Sequence, residues 1–262
     1  MIDLEYINYK ILRDIAEKAG TAIMEVYAEK DFSGITDFKA DDSPLTLADK
    51  RSHEIINAAL LQAFPEIPVL SEEGRDIAYQ ERKNWNQFWL VDPLDGTKEF
   101  INRNGEFTVN IALVENGLPV LGIIYVPVTK VFYFGKKGVE AFKESEKGKE
   151  PLKTTHKKEN LKAVGSRSHA APEEKEFLEK LHIKEVVSTG SSLKFCRVAE
   201  GKADVYFRHG PTMEWDTAAG QAIVEAAGGV VLDVAKNSFS YNKQSLRNGS
   251  FYCLNQKTLI WF

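Results

Sequence analysis

The sequence predicts an α+β chain of layered sheets and helices. Three observations carry this. Two long helical patterns open the chain, apolar strands joined by hairpin signals fill its middle, and strand and helix patterns alternate to its end. With 262 residues, 43% of them hydrophobic and 27% charged, the chain can bury one large core or two closely packed ones.

The elements follow in order. Leu4, Ile7, Ile11, Ile15, Ala19, Ala22, Ile23 and Val26 fall near helical spacing and predict a helix over 3–29. A polar stretch ends in Asp41-Asp42-Ser43-Pro44. Thr46 to Phe64 reads as a second helix, with Ile55, Ile56, Ala59, Leu60 and Ala63 inward, broken by Pro65 and Pro68. Short apolar Val69-Leu70 and the continuous run Phe88-Trp89-Leu90-Val91 read as strands, the latter buried on both faces. Phe107 to Val114 and Val120 to Val126 flank Asn116-Gly117, a hairpin signal. Val131 to Phe134 and Val139 to Phe142 form a second hairpin around Gly135 and Gly138.

Lys143 to Asn160 is rich in lysine and glutamate and poor in apolar residues, as a linker or an exposed hairpin end would be. It divides the expectation into an N-terminal α+β part, 1–155, and a C-terminal α/β part, 156–262. In the second part, strands are expected at Leu161–Gly165, Val186–Ser188, Ala203–Phe207, Val230–Leu232 and Phe251–Leu254. Helices are expected at Pro172–Leu181, Ser192–Glu200 and Asp216–Ala227.

Composition excludes several functions. A net charge of -4 argues against a partner that is a nucleic acid polymer, although a small nucleotide needs only a few local cations. The two cysteines, Cys196 and Cys253, form no CxxC pair and read as small buried hydrophobes. Met1 to Glu5 lacks the basic, apolar start of a signal peptide, and no transmembrane run of about 20 apolar residues occurs. The expected location is the cytoplasm. There is no P-loop and no GxGxxG. Ser191 to Lys194 fits S-x-x-K but has no KTG or SDN companion. Asn248-Gly249-Ser250 is a sequon without a secretory context.

The acids are more telling. Asp92-Pro93-Leu94-Asp95-Gly96-Thr97 ends the apolar strand, where a sheet edge opens to solvent. Pro93 fixes its φ and Gly96 permits a tight turn, so Asp92 and Asp95 can converge, with the Leu94 carbonyl between them. Hard cations such as Mg²⁺ favour that mixture of oxygens. From the hexapeptide alone, a metal-holding turn and a plain Asp-Gly turn stand about equal. Glu72 and Glu73 could equally cap a helix or sit in a solvated turn. Asp216 could be an N-cap, and Asp49 a first-turn acid favoured by the helix dipole.

Four segments taken together resemble the inositol monophosphatase superfamily. They are Ser43-Pro44-Leu45-Thr46-Leu47-Ala48-Asp49, Leu70-Ser71-Glu72-Glu73-Gly74, Trp89 through Thr97, and Trp215-Asp216-Thr217-Ala218-Ala219-Gly220. Lys98-Glu99-Phe100, Gly190-Ser191-Ser192-Leu193-Lys194 and Gly210-Pro211-Thr212 are most similar to its 3'(2'),5'-bisphosphate nucleotidase branch. The resemblance implies a layered α-β-α-β-α sandwich, two to three Mg²⁺ ions and inhibition by lithium. It implies that Glu72, Asp92, Asp95 and Asp216 are metal ligands, together with the Leu94 carbonyl. Asp49 and Thr97 would orient the attacking water, with Glu72 helping to hold it. Gly96 and Thr97 would bind the reacting phosphate through backbone N–H groups.

Substrate contacts are implied at Ser191, Lys194, Arg208 and Asp216, and at His169 beside adenine. The expected enzyme is a phosphoric monoester hydrolase that converts 3'(2')-phosphoadenosine 5'-phosphate to AMP and phosphate, without a phosphoenzyme. Its partner would be a small phosphorylated nucleotide. Alternatives are an inositol monophosphatase or sugar bisphosphatase on the same scaffold, and a non-catalytic metal- or nucleotide-binding regulator. The sequence leaves open a homodimer and peripheral association with a membrane surface.

Overall fold

Apolar residues alternate in direction along each central strand, so a sheet with both faces coated needs a helical layer on each side. The structure, a computed structural model describing residues 3–28, 36–38, 44–166 and 171–256, has that arrangement. Its helices are α1 (Tyr9–Tyr27), α2 (Leu47–Ala63), α3 (Tyr79–Arg82), α4 (Thr97–Ile101), α5 (Pro172–Lys180), α6 (Leu193–Ala199) and α7 (Glu214–Ala226). The first nine strands are β1 (Thr36–Phe38), β2 (Pro44–Thr46), β3 (Val69–Ser71), β4 (Gln87–Asp95), β5 (Thr108–Glu115), β6 (Leu118–Val126), β7 (Val131–Lys136), β8 (Glu140–Ser145) and β9 (Gly148–Pro151). The remainder are β10 (Lys162–Gly165), β11 (Glu185–Ser188), β12 (Val205–Arg208), β13 (Thr212–Met213), β14 (Val230–Asp233), β15 (Arg247–Asn248) and β16 (Phe251–Leu254).

A seven-stranded sheet runs in the order β3-β4-β5-β6-β7-β8-β9, and a five-stranded sheet in the order β11-β10-β12-β16-β14. Helices α1 and α2 pack on one face of the first sheet. Helices α6 and α7 lie between the sheets, and α5 packs against β12. The layers are therefore α-β-α-β-α. Along β4 the residues split by parity. Trp89 and Val91 join the core under α1 and α2, while Phe88 and Leu90 join the core under α7. Burial on both faces explains why β4 reads as an unbroken apolar run.

One cross-strand row sets how closely α7 approaches. Ala112 pairs with Gly122, Gly122 with Gly135, and Gly135 with Ala141. This trough of small residues receives the α7 backbone. A Cβ on Gly135 would stand 2.5 Å from Ile223 Cα and 3.0 Å from the Ala222 carbonyl oxygen. The N-terminus of α7 is fixed as well. The buried Glu214 carboxylate accepts from Asn242 N (2.7 Å), Lys243 N (3.0 Å) and Lys243 Nζ (2.6 Å).

Several element bounds differ from expectation. The first helix starts later, at Tyr9, because Asn8 caps it by accepting from Lys10 N at 2.8 Å, and Leu4–Tyr6 forms a separate 3₁₀ turn. The strand at Phe88 extends through the acids to Asp95, with an irregularity between Asp92 and Asp95 that admits Pro93. The charged stretch from Lys143 contains the end of β8 and all of β9. Its alternating charges suit an exposed edge strand. Cys196 and Cys253 are buried free thiols. Asn248 is buried too, with Nδ2 donating to Met213 O and to Thr212 and Thr217 Oγ1, so the sequon is structural. Among the described residues no helix is long and apolar enough to cross a membrane.

Candidate active site

Parallel pairing of β3 with β4 aligns Ser71 with Val91, so the next residues, Glu72 and Asp92, emerge side by side. Glu72 N donates to the Val91 carbonyl at 3.1 Å and fixes that junction. Asp49 lies in the first turn of α2, only 2% exposed. Ser52, one turn further on, donates to the Pro93 carbonyl at 2.7 Å and ties α2 to the acidic end of β4. Asp216 arrives on the third residue of α7. Its Oδ2 accepts from Met213 N at 2.8 Å, so Asp216 is not the expected N-cap, which is Met213, but the N3 acid that bonds back to it, two residues inside a helix that starts earlier than expected.

Electrostatics place these acids together. Burial pushes the Asp92 carboxyl well above the usual carboxylate range, and the nearby charges of Glu72, Asp95, Asp216 and Asp49 push it further. Burial likewise raises Asp216, reinforced by Asp95 and Glu72 and opposed by its bond from Met213 N and by Lys194. Five carboxylates in one partly dry region repel one another strongly. A hard divalent cation offsets that repulsion, and an all-oxygen donor set is the kind it takes.

As oriented, among the described residues, no three His, Cys, Asp or Glu side chains close around one point tightly enough to hold an ion. The reason is visible in their bonds. Asp92 Oδ1 accepts from Leu94 N at 3.1 Å, and Asp95 Oδ2 from Ser192 Oγ at 2.5 Å and Asn110 Nδ2 at 3.4 Å. Asp216 Oδ2 is turned back to its own helix. The donor chemistry, carboxylate and carbonyl oxygen throughout, fits a metal site.

Gly96 follows Asp95 at φ +94°, in the left-handed region, and leads into α4. A Cβ there would stand 3.2 Å from Ser191 Cβ and 3.3 Å from Phe107 Cα. Glycine is thus required by both conformation and space. Thr97, half-buried, opens α4.

Beside the acids lies a cleft of about 180 Å³. Asp95, Asp216, Ser191, Ser192, Lys194 and Arg208 are on its walls. Lys194 Nζ donates to the Ser191 carbonyl at 2.6 Å. Burial lowers the Lys194 pKa, while Asp95 and Glu99 raise it. Arg208 Nη1 stands 3.7 Å from Glu174 Oε1, which also accepts from His209 N at 3.0 Å. A larger hollow of about 360 Å³, walled by His53, Ser71, Arg75 and Trp85, contains none of the acids discussed here. Volume alone would not have singled out the acidic cleft.

The structure therefore brings Asp49, Glu72, Asp92, Asp95 and Asp216 into one charge cluster, with Ser191, Lys194 and Arg208 on the adjoining cleft. His169 lies outside the described residues. Sequence reasoning missed Asn110 and the bonding role of Ser192. Asn110 Nδ2 donates to Ser192 Oγ at 2.8 Å, and Ser192 in turn donates to Asp95. The available signal was a lone polar Asn inside the apolar strand Val109-Asn110-Ile111.

Residues 7–260 match the model of the inositol monophosphatase family. The chain is 48% identical over 240 residues to the 3'(2'),5'-bisphosphate nucleotidase CysQ of Salmonella typhimurium, covering 90% of this chain and 95% of that one. It is 43% identical over 241 residues to the corresponding protein of Buchnera aphidicola, covering 91% and 90%. Among solved structures, CysQ from Bacteroides thetaiotaomicron, described as a bacterial member of the same family, is 44% identical. It superposes with a TM-score of 0.84 over 95% of this chain and 98% of that one.

Proposed function

The chain belongs to the inositol monophosphatase family, and from that premise we propose that it hydrolyses 3'(2')-phosphoadenosine 5'-phosphate to AMP and phosphate. The observation that carries this reading is the acidic cluster of Glu72, Asp92, Asp95 and Asp216 set against a cleft holding Lys194 and Arg208. One end suits the reacting phosphate and its counter-cations. The other offers two fixed cations to a second phosphate. The relatives named as bisphosphate nucleotidases support the same substrate class.

Enzymes of this family depend on metal ions. We assign two to three Mg²⁺ to Glu72, Asp92, Asp95, Asp216 and the Leu94 carbonyl. When bound, the metal neutralises the phosphate dianion, makes water a stronger nucleophile and stabilises the leaving oxygen.

The chain's own residues do the rest. Thr97 accepts a hydrogen bond from the attacking water and passes its own hydroxyl proton toward Asp49. Asp49 is buried in the first turn of α2, tied by Ser52 to the acidic end of β4. Glu72 steadies the water on the opposite side. Backbone N–H groups of Gly96 and Thr97 face the phosphate oxygens. Asp216 and Ser191 border the ribose, and Lys194 with Arg208 holds the non-reacting phosphate as charge-assisted donors. His169 is assigned to the adenine side. The substrate is a soluble anion, and we place the enzyme with it in the cytoplasm.

The test compares phosphate release from adenosine 3',5'-bisphosphate and from inositol 1-phosphate by purified protein, with and without Mg²⁺. Mg²⁺-dependent release, inhibited by lithium and faster from the bisphosphate, is expected. Faster release from inositol phosphate would move the chain to the other substrate class. No release from either would leave a binding protein.

A further inference from the structure

The cation assigned to the second phosphate is only as well placed as the turn beneath it. Lys194 Nζ donates to the Ser191 carbonyl, so the position of the ammonium follows that of residues 190–191. Ser191 sits at φ +39°, a region costly for a residue with a Cβ. Something must hold it there.

Glu106, at the end of the loop before β5, grips both residues. Its Oε2 accepts from Gly190 N at 2.7 Å, and its carbonyl oxygen accepts from Ser191 Oγ at 2.6 Å. The next residue, Ser192, reaches Asp95. On the other side, Gly190 lies against Glu99, where a Cβ would stand 2.6 Å from Glu99 Cγ. The turn is thus clamped between two acids, and Glu106 bonds to it twice. Glu106 is half-buried and is not among the residues that wall the cleft.

We propose that Glu106 is a positioning residue that holds the Gly190–Ser191 turn, and through it Lys194, in the place that distinguishes a bisphosphate from a monophosphate substrate. This rests on the substrate reading given above. Glu106 touches neither substrate nor water. It acts by fixing a strained turn whose carbonyl orients the ammonium. Loss of its carboxylate frees Gly190 N–H and loosens the turn from that side, so that Lys194 drifts, while the bond from Ser191 Oγ to the Glu106 main-chain carbonyl remains. Asp92 and Asp216 keep their own anchors at Leu94 N and Met213 N, and Asp95 keeps its bond from Asn110 Nδ2 as well as that from Ser192.

The test uses the full chain with Glu106→Ala and Glu106→Gln. The readouts are kcat and KM for adenosine 3',5'-bisphosphate and for adenosine 3'-phosphate, and AMP affinity by calorimetry. For Glu106→Ala, KM for the bisphosphate should rise about tenfold, the usual consequence of losing one charge-assisted hydrogen bond. AMP affinity should fall by the same factor. Its kcat, and both parameters for adenosine 3'-phosphate, should stay within about threefold of wild type. Glu106→Gln keeps an acceptor for Gly190 N–H and should restore most of the loss.

An unchanged bisphosphate preference in Glu106→Ala overturns the proposal, as does an equal loss on both substrates, which marks a merely structural clamp. Should Glu106→Ala not fold, Glu106→Asp, one methylene too short to reach Gly190, is expected to show the same tenfold loss, and retention of the preference there overturns the proposal. A wild-type enzyme with no preference between the substrates sinks the substrate reading itself. A strong wild-type preference that survives the variants sinks the Glu106 inference alone.

Discussion

Replacing Gly135 by alanine should disable the enzyme from β7, three strands away from β4. The added Cβ would meet Ile223 Cα at 2.5 Å. Ordinary carbon contacts lie near 3.5 Å, so α7 must retreat by about 1 Å. The contacting atoms are backbone, on a helix packed along the trough of Ala112, Gly122, Gly135 and Ala141, and no side chain can swing aside. Overpacking of this kind costs about 1–3 kcal/mol, offset in part by the preference of a strand for alanine over glycine. The functional cost is larger. Asp216 rides on the first turn of α7, and a displacement of about 1 Å from the other acids corresponds to roughly a 10²-fold loss in rate. Gly249→Ala is the control, since nothing lies within 4 Å of its Cβ position. Urea unfolding and Mg²⁺-dependent phosphate release should show Gly135→Ala destabilised by about 1–2 kcal/mol and slowed by about 10²-fold, with Gly249→Ala near wild type. Full activity and unchanged stability in Gly135→Ala would refute the claim that this trough sets the position of Asp216.

Three further outcomes follow from the site. Asp92→Asn should fold, lose turnover by about 10³-fold, and be no less stable than wild type in chelator, because it removes one of five mutually repelling charges; undiminished hydrolysis contradicts the metal-ligand assignment. Ser192→Ala removes the hydroxyl that joins Asn110 to Asp95, and should cost about 2–3 kcal/mol in urea unfolding and reduce kcat; a loss below about 0.5 kcal/mol would show that the bond carries no weight. Burial first, and neighbouring carboxylates second, raise Asp92 and Asp216. These two groups therefore bind more protons in the metal-free folded protein than in the unfolded chain above about pH 4, so the stability they contribute is fully present below that pH and is lost as pH rises through the raised values. Urea midpoints in chelator should be lower at about pH 8 than at about pH 5, with Mg²⁺ restoring the difference; a higher midpoint at pH 8 in chelator contradicts the clustering.

Much of this architecture was legible in the chain, for physical reasons that differ by element. Phe88 to Val91 declares a doubly buried strand because both faces of β4 are coated, and Asn116-Gly117 declares its hairpin because few other pairs adopt its turn. Asp92 and Asp95 were readable because they interrupt an apolar run beside Pro and Gly. The convergence of Glu72 and Asp216 on them was not, since no local pattern reports contacts across the 20 positions from Glu72 to Asp92 or the 124 from Asp92 to Asp216; only the resemblance supplied it. Asn110, Ser192 and Glu106 escaped for the same reason. Their partners lie 82 to 97 positions away, and their residue types are ordinary in strands and turns. The trough of small residues was also invisible, because its meaning depends on strand register. The Asn8 cap, by contrast, was a local signal lost inside a longer helical pattern.

The most direct test is anomalous diffraction from crystals grown with Mn²⁺ in place of Mg²⁺. The expected result is at least two strong peaks within about 2–2.5 Å of carboxylate oxygens drawn from Glu72, Asp92, Asp95 and Asp216, with those side chains rotated toward the ions. Peaks elsewhere, or Glu72 and Asp216 both outside coordinating distance of every peak, would contradict the account at its centre.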